Sequence, residues 1–361
     1  MHRLVEIFLN AAKIEAKSGN EKPLADFITS FLQQHNYSFT IDDSWQSSGS
    51  NTGNIICRIG DGGDSVLLSH MDTARPTKYT VPKITDNKII SSSDTVLGVD
   101  NRAGVAVLLY VLGKIAAEKI ETKNFTVAFT TCEETTLSGS KNLSVNGAIK
   151  KGFVFDSSFR PGNFIHTACG SMGFKATVRG KASHSGLAPE KGIDSIQVIS
   201  RAISKMRLGR IDEETSANIG KINGGSAVNV VPEETRIDGE VRSFNREKVE
   251  KEINFIKECI SSEADKVSAK LFFEADWDFE PYYVPEESPV YKEITEAIKS
   301  CGLEPHPKIS LGGSDANSLN ARGITSVNIG IGAQNPHSND EFIFIEDLLN
   351  SAKIALNLIS K

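Results

Sequence analysis

The chain has 361 residues, of which 39% are hydrophobic and 24% charged, and a formal net charge of −6. That is an ordinary globular composition with room for about two domains, and its negative charge argues against nucleic acid, which calls for a basic face. No run approaches the roughly 18 apolar residues of a membrane span, and five scattered cysteines indicate neither a disulfide framework nor a cysteine-bound zinc.

The opening stretch, MHRLVEIFLNAAKIEAKSGNEK, lacks the basic end, apolar core and cleavage site of a signal peptide. It reads as one amphipathic helix, and a cytoplasmic location is expected. Short apolar runs follow at 54–59 (NIICRI), 65–70 (SVLLSH), 125–131 (FTVAFTT), 152–156 (GFVFD) and 325–331 (TSVNIGI). These read as buried strands, and helical periodicity lies between them, clearest at 101–120 and in the closing SAKIALNLIS. The alternation predicts an α/β fold with a doubly wound, mostly parallel sheet. From about Gly173 the texture changes to a β-α-β-β-α-β order ending near AKLFFEADW, which matches the split ferredoxin-like unit. Residues 173–284 are therefore expected to form an inserted α+β domain, and residues 1–172 with 285–361 the catalytic one.

Five potential metal ligands sit at the carboxyl ends of the predicted strands or in the loops after them, where open α/β sheets place their sites. His70 ends SVLLSH, Glu134 follows FTVAFTTC beside Glu133, Asp156 ends GFVFD, His337 follows TSVNIGI, and Asp100 opens the long helix. Two histidines with three carboxylates suit Zn²⁺, Co²⁺ or Mn²⁺ rather than a soft thiolate-bound metal. One carboxylate can bridge two ions. His2, His35, His166 and His306 fall in no comparable pattern, and Cys132 reads as a small buried residue. There is no G-x-S-x-G elbow, and the glycine-rich loops match neither a Walker loop nor a dinucleotide fingerprint.

The segments SHMDT (69–73), LGVDNRAG (97–104), CEET (132–135), FD (155–156), GKASHSG (180–186), GGSAVNVVP (224–232), GGSDAN (312–317) and NPHS (335–338) resemble, in order, the motifs of the co-catalytic zinc peptidases. That family includes tripeptidase T, carboxypeptidase G and acetylornithine deacetylase, and GGSDAN with EFIFIEDLL (341–349) is most similar to the tripeptidase T branch. The resemblance implies two metal ions, most simply Zn²⁺, one on His70 and Asp156 and the other on Glu134 and His337, with Asp100 bridging. It implies that Asp72 orients the His70 imidazole and that Glu133 is the general base for attack by metal-bridged hydroxide. It also implies that His184 stabilises the oxyanion, in relatives often from a partner subunit, so that a homodimer would form through the inserted lid domain. Asn229 resembles a substrate-binding position. Relatives typically carry Arg just before the GG-[ST]-D motif to meet a substrate carboxylate; this chain has Leu311 there, and Arg242 is the alternative partner.

The expected function is thus an aminopeptidase acting on short peptides. An amidohydrolase that deacylates N-acyl amino acids or cleaves dipeptides is the alternative within catalysis. A non-catalytic binding protein of the same fold would have lost ligands or the base, and none is missing.

Overall fold

Four strands, Phe125–Thr130, Ser65–His70, Lys151–Ser157 and Thr325–Gly330, lie side by side and parallel in the computed structural model, which describes residues 1–361. They are buried almost throughout, as strands covered on both faces must be, and so read as continuous apolar runs. Ile55–Ile59 adds antiparallel on one side and Asn163–Ala168 on the other.

Helices cover both faces. Leu68 registers with Val154, so Ser69 and Gly152 point to opposite sides of the sheet. A Cβ at Gly104, on the helix Val99–Glu118, would meet the Ser69 hydroxyl; a Cβ at Gly152 would meet Leu319 on the helix Asp315–Ala321. The long helix is apolar nearly all round because it lies between the sheet and the helices Arg3–Ala12 and Ile345–Ile359. The arrangement is the mostly parallel, doubly wound sheet expected from the sequence.

Two features depart from expectation. The amino-terminal stretch is not one helix: Arg3–Ala12 ends where Lys13 caps it, and Lys22–Gln34 starts afresh with a proline in its first turn. Between them the chain pairs with the SHMDT segment instead of with itself, Thr73 donating its main-chain N–H to Ala16 at 3.1 Å. A small three-stranded sheet of Pro82–Thr85, Lys88–Ser91 and Phe342–Phe344 was not foreseen. Its strands are too short for a period-2 pattern to register.

By contact the chain divides into two compact units, the one just described (residues 1–167, 283–310 and 314–361) and another of residues 168–282 and 311–313. The second is a five-stranded antiparallel sheet in the order Gly209–Arg210, Ser216–Gly224, Glu234–Ser243, Gly170–Arg179, Lys270–Phe279. Its helices Ser195–Ile203 and Arg246–Asp265 pack together and onto the sheet. Phe174, Ala176 and Val178 alternate into that core, where they meet Val198, Ile199, Ile253, Ile256 and Ile260. Polar side chains start helices by accepting main-chain N–H groups, among them Asp194 and Asn245 here, and Ser288 before Pro289–Lys299 in the first unit. No helix of the chain is long and apolar enough to cross a membrane.

Candidate metal centre

The parallel strands deliver their carboxyl ends to one place. His70 is the last residue of its strand and registers with Thr130, after which the neighbouring strand turns through Cys132 at φ 50° into Glu133 and Glu134. Asp156 is the penultimate residue of the next strand over, and the fourth strand leads into the loop that carries His337. Asp100 lies at the same place, at the start of the long helix, where Asp100 and Asn101 have non-helical angles and the peptide between them is cis.

His70 Nε2 lies 3.0 Å from Asp156 Oδ1, 3.1 Å from Asp100 Oδ1 and 4.0 Å from Glu133 Oε2. His337 Nε2 lies 3.0 Å from Glu134 Oε1 and 3.3 Å from Asp100 Oδ2. Asp100 therefore turns one oxygen toward each histidine. All five ligand candidates are brought together, with Glu133 alongside them and closest to the His70 half.

Four largely buried carboxylates surround the buried imidazole of His70 and the half-exposed imidazole of His337 and make a strongly anionic site. Burial and mutual repulsion push the carboxyls of Glu133, Glu134 and Asp156 above their ordinary range. Against its burial, hydrogen bonds from His337 and His70 hold Asp100 below that range. Hydrogen bonds to Asp100 and Glu134 lift His337 to about 10. His70 also rises well above the usual imidazole value, Glu133 and Asp156 overcoming the opposing effect of burial. Nitrogen and oxygen donors with this surplus of negative charge fit a pair of divalent cations, which would neutralise it.

The surrounding polar residues fix these side chains. Asp72 Oδ1 lies 3.3 Å from His70 Nδ1. The same carboxylate accepts the main-chain N–H of Glu133 at 3.0 Å and of Glu134 at 3.1 Å, and the Ser18 hydroxyl at 2.6 Å. Asn101 and Asn328 each donate to Asp156 at 3.2 Å. Glu341 accepts from the main-chain N–H of Gly98 at 2.6 Å and of Asp100 at 3.1 Å. Arg102, fully buried, donates to the Met71 carbonyl at 2.5 Å and so braces the loop between His70 and Asp72. Glu21 accepts the Cys132 main-chain N–H at 3.0 Å and holds the turn before Glu133.

Of these supporting residues only Asp72 was given a role from sequence. Asn328, polar inside an otherwise apolar strand, and Glu341, shortly after His337, left a readable signal. Glu21, 111 positions from Cys132, left none. Asp315 of GGSDAN is also buried here, hydrogen-bonded by Thr130 at 2.5 Å, and burial carries its carboxyl to about 6.

His184, Asn229 and Arg242 belong to the second unit. His184 is exposed, and its Nδ1 accepts the main-chain N–H of Gly186 and of Leu187, both at 3.2 Å, which places its proton on Nε2. The main chain laces its loop to that of Asn229: Ser185 N–H donates to the Asn229 carbonyl at 3.0 Å. Arg242 pairs with Glu240 at 3.0 Å and donates to the Leu311 carbonyl at 3.2 Å. Arg242, the expected substitute for the family arginine, thus touches Leu311, which occupies that arginine's position.

Residues 167–268 match the M20 peptidase dimerisation domain, and residues 77–163 match the M42 glutamyl aminopeptidases. Uncharacterised protein YqjE of Bacillus subtilis is 31% identical over 363 residues, covering 99% of this chain and 98% of its own. The aminopeptidase PepT of Bacillus cereus is 31% identical with a TM-score of 0.89, and a tripeptidase of Staphylococcus aureus is 29% identical with a TM-score of 0.91. Each of those two structures is matched over 97% of its length and 99% of this chain. The chain belongs to the M20 family of metallopeptidases, close to its peptidase T branch.

Proposed function

We propose that this protein is a two-zinc aminopeptidase that removes the first residue of short peptides. The observation that carries this reading is Asp100, with Oδ1 3.1 Å from His70 and Oδ2 3.3 Å from His337. Such a carboxylate suits two ions, one on His70 and Asp156 and the other on Glu134 and His337. Two divalent ions held there would lower the pKa of water and polarise the scissile carbonyl. Glu133 acts beside them as the general base. Burial raises its carboxyl toward the range in which a base can both take a proton and return it to the leaving amine. Asp72 fixes both the His70 ring and the main chain of Glu133, so base and ligand keep a common register.

His184 is proposed as the oxyanion donor through Nε2, since Nδ1 is already occupied. Asn229 and Arg242 are proposed on the substrate side. Residues 173–284 are read as the dimerisation domain of a homodimer. Two observations support this: the outer edge of Ser216–Gly224 is paired only at Ser216 and Ala217, and a groove of about 910 Å³ beside it is lined by Ile196, Val228 and Val231. Five free cysteines support a reducing, cytoplasmic setting.

Leu311, in place of the family arginine, favours a second reading, deacylation of N-acyl amino acids or cleavage of dipeptides. Product analysis on a panel of di-, tri- and N-acyl peptides separates the two. Release of the amino-terminal residue from tripeptides is expected. Cleavage confined to N-acyl substrates would establish the second reading.

A further inference from the structure

The geometry points to Arg75 as the residue that recognises a carboxylate of the substrate, taking the part that Leu311 cannot. This rests on reading the cluster as a peptidase centre.

Arg75 follows SHMDT, and its segment wraps the Glu134 and His337 half of the site. Ala74 donates its main-chain N–H to Glu134 Oε1 at 3.2 Å, and Arg75 donates from Nη1 to the His337 carbonyl at 3.2 Å. The turn is pinned by Thr73, whose hydroxyl donates to the Arg75 carbonyl at 2.9 Å. The guanidinium is thereby tethered at one nitrogen beside a metal-ligand candidate, while the residue is exposed.

Charge decides between the arginines. Arg242 carries its own counter-ion, Glu240 at 3.0 Å. Buried Arg102 is taken up by the carbonyls of Met71, Ile14 and Ala16. Arg75 has no carboxylate within ion-pair distance, although the cluster nearby is rich in them, and its Nε and Nη2 donors remain free. A planar fork with one edge anchored and donors to spare suits a carboxylate. Exposure at the rim suits a group that arrives with the substrate. That carboxylate is either the carboxyl terminus of a short peptide or an acidic side chain next to the scissile bond.

The test compares wild type, Arg75→Gln and Arg75→Lys, all zinc-loaded, on two pairs of peptides: trialanine against its amide, and Glu-Ala-Ala amide against Gln-Ala-Ala amide. Wild type is expected to prefer one carboxylate-bearing member by about ten- to a hundredfold in kcat/KM, the range of a charge-assisted hydrogen bond. Arg75→Gln should abolish that preference through KM and Arg75→Lys restore part of it, with zinc content unchanged. The pair that shows the effect identifies the source of the carboxylate. Calorimetric binding of the same peptides in a Glu133→Gln background, where none is consumed, is the second readout. Lost discrimination there supports Arg75 even without turnover, whereas a wild type that cleaves no peptide overturns the peptidase reading alone. A preference that survives Arg75→Gln in binding and turnover overturns the proposal. So does equal loss on all four peptides together with loss of zinc, because Arg75 would then only hold the His337 loop.

Discussion

The carboxylate of Asp72 accepts the main-chain N–H of Glu133 at 3.0 Å. Since the same oxygen lies 3.3 Å from His70 Nδ1, one side chain sets the position of a metal-ligand candidate and of the proposed base. Asp72→Asn keeps the shape but replaces one acceptor oxygen with a donor. Metal affinity should fall about ten- to a hundredfold, measured by competition with a chromophoric chelator, and turnover should fall with it even at saturating zinc.

Glu133 and Glu134 are adjacent, yet their substitutions should separate. Glu133→Gln is expected to keep two metals per chain by elemental analysis while kcat falls roughly 10²- to 10⁴-fold. Glu134→Gln and Asp100→Ala should lose metal, Asp100→Ala from both sites. Equal metal loss in Glu133→Gln would mean that Glu133, 4.0 Å from His70, is itself a ligand.

How far the site was legible follows from these residues. His70, Glu134, Asp156 and His337 each follow or end an apolar run, and a parallel sheet gathers such ends on one edge. What the sequence hid is the scaffolding, because Glu21 and Arg102 act through main-chain groups of residues distant in the chain, and such contacts leave no local pattern. The main sheet was legible for the same reason as the ligands. The broken amino-terminal helix was not, because pairing with Thr73 overrides its periodicity.

Stability of the metal-free protein should depend on pH in a stated direction. Burial raises the carboxyls of Glu133, Glu134 and Asp156, carries Asp315 to about 6 and Glu341 to about 7, while hydrogen bonds to carboxylates lift His337 to about 10. Each holds its proton more tightly folded than unfolded, so the stability it contributes is complete below its unfolded value and lost as pH rises through the folded one. Asp72 and Asp100 are depressed and act oppositely, but only at pH values below the ordinary carboxylate range. Chelated protein should therefore lose melting temperature steadily from pH 5 to 8. With zinc in excess the decline should disappear, because metal binding favours the deprotonated ligands.

If two ions on this cluster make a peptidase, zinc titrated into chelated protein restores tripeptide hydrolysis. No hydrolysis is expected without metal, and full activity at two equivalents per chain, with release of the amino-terminal residue. Hydrolysis that persists after complete chelation, or none with two equivalents bound, would contradict it.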